Sequence, residues 1–230
     1  MPVLLLLLLF CALGLSGCEQ NSSVAPVQNA QAQGQTPNVT YVALGASDTF
    51  GIGASDPYTQ NWPADLAIML KPHTHLVNLG IPGITLHNAL TSELPIALDA
   101  HPALVTVWLA VNDLALNVPI ESYTRDLNVL LSRLRAAAPH ARIAVGNMPN
   151  LTRLPSFYSD DPVTLNKQIT SYNTAIASAV ASYHATLVDL YGPSYDLQTH
   201  PEYISKDGLH PSDLGYFKLA ELFYIALRQA

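Results

Sequence analysis

Leu104-Val105-Thr106-Val107-Trp108-Leu109 is apolar at every position but one, and it runs into Ala110-Val111-Asn112-Asp113. An unbroken apolar run of this length leaves no face for water, so it suits a strand in a parallel sheet covered on both sides. Outward from it, Val39 to Leu44, Leu76 to Leu79, Arg142 to Val145 and Thr186 to Leu190 are predicted as further strands. Helical stretches separate them. Trp62 to Leu70 carries Pro63 in its first turn, where proline is tolerated. Leu86 to Leu98 is weakened by Pro95. In Ser122 to Ala138, Tyr123, Leu127, Leu130, Leu131 and Leu134 share one face, and Pro139 ends the pattern. Leu165 to Tyr183 and Leu214 to Leu227 complete the set. Regular alternation of strand and helix predicts a three-layer α/β/α sandwich with a five-stranded parallel sheet, because right-handed crossovers place helices on its faces.

In an open parallel sheet, ligands gather beyond the carboxyl ends of the strands. Several chemically capable residues fall there. Ser47 follows the first strand in Gly45-Ala46-Ser47-Asp48. Gly80 and Gly83 follow the second in Asn78-Leu79-Gly80-Ile81-Pro82-Gly83, and Asn112 follows the third. Asp207 and His210 lie between the fifth strand and the last helix in Lys206-Asp207-Gly208-Leu209-His210-Pro211. A serine hydroxyl needs a base to take its proton and a third group to orient that base, and Ser47, His210 and Asp207 supply all three. Taken singly, each has a plainer reading as a cap or turn residue. Their joint placement on one rim carries the argument. The irregular stretch from Asn147 to Pro162 is either a wall or lid of the site or a surface excursion.

These blocks resemble the SGNH or GDSL-type hydrolases, a family named for a Ser, Gly, Asn and His in separated segments, over Val39 to the end of the chain. The resemblance implies the flavodoxin-like fold of that family and an esterase or lipase-like reaction without a cofactor. It assigns Ser47 as nucleophile, His210 as base and Asp207 as its orienter. It also implies an oxyanion hole of the Ser47 amide, the Gly83 amide and the Asn112 side chain. Gly83 is favoured over Gly80 by the family's Asn-x-x-x-x-Gly context, here beginning at Asn78. The chain departs from the family pattern at Ala46, where Asp is usual, and at Ala110, where Gly is usual. Those departures keep open a non-catalytic glycan- or solute-binding lipoprotein; with a sugar hydroxyl competing with water, the same machinery would be an acyltransferase or deacetylase acting on surface polysaccharide.

The first 17 residues, apolar from Leu4 to Leu15, read as a signal peptide. Leu15-Ser16-Gly17-Cys18 resembles the lipobox of bacterial lipoproteins, which implies lipidation of Cys18; a plain cleaved signal peptide is the alternative. Residues 18–38 are rich in Asn, Gln, Ser and Ala and read as a flexible tether, leaving 39–230 as the domain. The expectation is an exported protein anchored to the extracytoplasmic face of a membrane, acting on a small-molecule, lipid or glycan ester. A net charge of −7 with no basic run argues against nucleic acid as a partner. His73 and His75 are a possible metal pair without an evident third ligand, so no metal is expected.

Overall fold

The computed structural model describes residues 39–70 and 73–229. The signal peptide, Cys18 and the tether lie outside the described residues. Five strands form one sheet: β1 (Val39–Gly45), β2 (Thr74–Asn78), β3 (Leu104–Trp108), β4 (Arg142–Gly146) and β5 (Thr186–Val188). Every pairing is parallel and the order is β2-β1-β3-β4-β5. The sequence of β3 explains its place, since all five of its residues are buried. β1 is likewise buried from Tyr41 to Gly45, whereas the edge strands β2 and β5 are partly exposed.

Among the described residues eight α-helices accompany the sheet: α1 (Ser47–Phe50), α2 (Trp62–Leu70), α3 (Leu86–Ser92), α4 (Leu94–Asp99), α5 (Val111–Ala115), α6 (Ile120–Ala137), α7 (Pro162–Ser182) and α8 (Asp213–Gln229). The chain steps outward from β1 to β2, then back across to β3 and on to β5. Right-handed crossovers in opposite directions land on opposite faces. Accordingly α2 packs against α8, while α3, α4, α6 and α7 pack in succession. This is the expected three-layer α/β/α sandwich. Its reversal of direction lies between β1 and β3, so their carboxyl ends open the crevice where a ligand sits in such sheets.

Aromatic packing ties the layers to that crevice. Trp62 of α2 is fully buried, stacks on Phe223 of α8 at 4.3 Å and meets Trp108 of β3 edge-on at 6.3 Å. Such pairs add about 0.5–1.5 kcal/mol each beyond the area they bury. On the other face Tyr123 and Tyr172 join α6 to α7, with ring centroids 4.7 Å apart. Their hydroxyls donate to the carbonyls of Leu109 and Val118, both at 2.7 Å.

The structure departs from the predicted elements at their ends. The stretch expected as one helix from Leu86 to Leu98 is two, α3 and α4, broken at Glu93. Pro95 lacks an amide hydrogen and lies in the first turn of α4, where none is needed. α7 starts three residues earlier than predicted, because the Asp161 carboxylate accepts from the Thr164 amide at 3.0 Å with Pro162 in the first turn. β5 ends early, because the Asn147 side chain accepts from the Leu190 amide at 2.6 Å and draws the chain away from the sheet. α1 and α5 were not predicted; each is a single turn directly after a strand.

Candidate active site

β1 delivers Ser47. The chain leaves the sheet at Gly45, turns at Ala46 and starts α1 at Ser47. The Ala46 carbonyl accepts from the Thr49 and Phe50 amides at 3.1 and 2.9 Å, and the Gly45 carbonyl accepts from Ile81 at 3.0 Å. The Asn78 side chain donates to the Thr49 carbonyl at 2.7 Å and accepts from the Gly80 amide at 3.0 Å. Gly80 has no room for a side chain, since a Cβ there would lie 2.4 Å from the Phe50 nitrogen. From below, the Glu93 carboxyl accepts from the Gly45 amide at 3.1 Å. Glu93 is buried, and desolvation pushes its pKa up to about 8 against the pull of that amide.

The loop before α8 delivers His210. Its Nε2 lies 2.9 Å from Ser47 Oγ, and its Nδ1 lies 2.7 Å from Asp207 Oδ2. An ionised carboxylate can only accept, so Nδ1 carries the proton and Nε2 is free to accept from the serine hydroxyl. The other carboxylate oxygen, Asp207 Oδ1, accepts from Ser205 Oγ at 2.8 Å and from the Leu209 and His210 amides at 2.8 and 2.9 Å. Desolvation works to raise this carboxyl, but the two amides, the imidazole and the hydroxyl outweigh it and hold Asp207 well below the usual carboxylate range. Asp207 therefore stays ionised and fixes the ring.

β3 delivers Asn112 at the start of α5. Its amide donates to the Ile84 carbonyl at 2.8 Å, and its neighbour Asp113 accepts from the Leu86 amide at 3.0 Å. Both bonds tie this turn to the loop that carries Gly83. Gly83 adopts φ +79°, a left-handed conformation that favours glycine, with open space where a Cβ would be. The amides of Ser47 and Gly83 donate to no acceptor among the described residues.

Ser47, Asn112 and His210 line one narrow cleft of about 50 Å³ at this sheet edge, partly open to solvent. Asp207 stands behind His210; Gly83 is not among the lining residues. Pro149 and Leu154 of the 147–162 stretch form one wall, and Ser156 binds the Gly208 carbonyl at 3.1 Å. Sequence reasoning missed a further set of lining residues, Tyr195, Leu197, Tyr203 and Ile204, with the Tyr195 and Tyr203 rings stacked at 5.8 Å. The available signal was the group of tyrosines just upstream of His210, which reads equally as core. His75 lies on β2 and His73 just before it, both exposed. No group of three metal-ligating side chains occurs among the described residues.

The comparisons agree with this geometry. The GDSL-like lipase/acylhydrolase family model matches residues 43–217. The fold is shared with the psychrotrophic esterase EstA from Pseudoalteromonas sp., at 19% identity and TM-score 0.65, covering 83% of this chain and 97% of that one. It is shared equally with the lipase/acylhydrolase from Enterococcus faecalis, at 21% identity and TM-score 0.65, covering 83% and 94%. The lipase Lip_vut3 from a goat rumen metagenome gives 20% identity and TM-score 0.66 over 82% and 97%. No curated protein is detectably similar in sequence. With most of its domain matched by the family model, the chain belongs to the GDSL-like lipase/acylhydrolase family of carboxylic ester hydrolases.

Proposed function

We propose that this hydrolase works through an acyl-enzyme on Ser47. The observation that carries the reading is the continuous relay from Ser47 Oγ through the His210 ring to Asp207, at 2.9 and 2.7 Å. His210 Nε2 takes the serine proton as Oγ attacks the ester carbonyl. The carbonyl oxygen becomes an oxyanion, which the Ser47 amide, the Gly83 amide and the Asn112 side chain receive. The imidazolium, steadied by Asp207, protonates the departing alcohol. Water, deprotonated by His210, then attacks the acyl-enzyme and releases the acid. The free amides at Ser47 and Gly83, and the second hydrogen of the Asn112 amide, support this use. EstA, which shares the fold, is described as inhibited by monoethylphosphonate. A phosphonate that esterifies Ser47 is the corresponding expectation here.

Treating wild type and Ser47→Ala with a fluorophosphonate probe and p-nitrophenyl acetate tests the reading. Labelling and turnover are expected in wild type only, with kcat falling about 10⁶-fold in the variant. Turnover that survives Ser47→Ala refutes it.

The reading includes export and a lipid anchor on Cys18, supported by the sequence of residues 4–18 alone. Among the described residues no helix is long and apolar enough to cross a membrane. Cys18→Ala is expected to move the protein from the membrane fraction to the soluble one; unchanged fractionation refutes the anchor.

A further inference from the structure

Asp48 takes no part in the relay, yet it lines the cleft directly beside Ser47 and His210. Among the described residues its carboxylate accepts no hydrogen bond. Asp207, which stands behind His210, has four donors by contrast. The cleft that Asp48 lines is mainly apolar, with Leu154, Leu197, Ile204 and Leu209 among its lining residues. Seating a bare alkyl group against an unpartnered carboxylate strips its water and returns nothing. A hydroxyl on the substrate returns a charge-assisted hydrogen bond.

Resting on the acyl-enzyme reading above, we infer that Asp48 is a specificity-determining residue that selects esters bearing a hydroxyl close to the scissile bond over their alkyl counterparts. The hydroxyl belongs either to the acyl or to the alcohol half, and the same chemistry recognises both.

The charge state of Asp48 gives a second handle. Desolvation pushes it up to about 6, although part of its surface reaches solvent; the His210 imidazole opposes the rise and Asp207 adds to it. The other titratable groups facing it are Tyr195, from the segment after β5, and Tyr216 of α8, both held neutral by burial. As pH falls through about 6, Asp48 gains a proton and becomes a weaker acceptor.

The test compares kcat/KM of the full chain for two ester pairs that exchange hydroxyl for methyl. Ethyl 3-hydroxybutanoate against ethyl 3-methylbutanoate probes the acyl half; 2-hydroxyethyl acetate against propyl acetate probes the alcohol half. At pH 8 one pair is expected to favour the hydroxyl by about tenfold or more, the scale of a hydrogen bond to a charged group. That ratio is expected to fall towards one in Asp48→Ala, to survive in part in Asp48→Asn, and to shrink in wild type as pH drops to 5. His210 acts on both members of a pair and cancels from the ratio. No hydroxyl preference in either pair, a preference untouched in Asp48→Ala, or a wild-type ratio independent of pH overturns the inference. The wild-type titration decides even if both variants misfold. Turnover without preference sinks this inference alone, whereas no Ser47-dependent turnover of any ester sinks the acyl-enzyme reading with it.

Discussion

Glu93→Gln is the perturbation whose magnitude the structure fixes best. Glu93 is 1% exposed; one oxygen accepts from the Gly45 amide and the other has no partner among the described residues. Its pKa in the fold is about 8, against 4.5 for a solvated glutamate. Between those values the folded chain keeps a proton that the unfolded chain releases. Stability is therefore complete below pH 4.5 and is lost as pH rises through about 8. At 1.36 kcal/mol per unit, the loss by pH 7 is about 3 kcal/mol, a large part of the 5–15 kcal/mol typical of a domain. Glutamine keeps an acceptor for the Gly45 amide and has no proton to lose. Urea unfolding of both proteins at pH 4.5 and pH 7, at equal ionic strength, measures the difference. The Gln variant is expected to gain about 3 kcal/mol on wild type between the two pH values. Asp48 and Asp113, each pushed up to about 6 by desolvation, add slope to both proteins and drop out of the difference. A gap that stays constant with pH shows that Glu93 is ionised in the fold and refutes the reasoning.

Asp207→Asn is expected to lower kcat by about 10⁴ while the protein stays folded, because the amide no longer fixes the imidazole tautomer; steady-state kinetics beside circular dichroism checks both parts. Asn112→Ala is expected to reduce kcat by about 10² to 10³ with KM little changed. An effect confined to KM would make Asn112 a ground-state contact. Gly80→Ala and Gly83→Ala separate packing from conformation. The first drives a Cβ into backbone at 2.4 Å, whereas the second meets open space and bears only the strain of φ +79°. Thermal unfolding is expected to show the larger loss for Gly80→Ala, about 1–3 kcal/mol against about 1 kcal/mol.

Sheet and rim were legible because they rest on long patterns. The unbroken apolar run of Leu104 to Leu109 requires burial on both faces, and a strand's end fixes where its next residues lie. Ser47, Asn112 and His210 followed from that placement. Features that depend on side-chain contacts across the fold were not legible. Nothing local in Leu94-Pro95-Ile96 says that Glu93 reaches under Gly45, 48 residues away. Asn147 likewise ends β5 through Leu190, 43 residues on. Tyr195 and Tyr203 have the composition of core residues, and only the path of the chain after β5 turns them towards the cleft.

The two departures from the family pattern sit where the backbone, and not the side chain, does the positioning. Ala110 has φ −169°, outside the left-handed region that favours glycine, so no positive φ demands the glycine usual there. Its carbonyl still accepts from the Leu114 amide at 3.0 Å, and α5 still begins in time to present Asn112. Ala46 is buried, and its carbonyl anchors the first turn of α1 through Thr49 and Phe50. With no carboxylate at position 46, the turn is held from outside by Glu93 at Gly45 and by Asn78 at Thr49. A carboxylate does stand at position 48, where Asp48 lines the cleft with Ser47. On the acyl-enzyme reading proposed above, a sequence that keeps the relay and places an acceptor in the cleft is expected to alter which esters are chosen more than how they are cleaved.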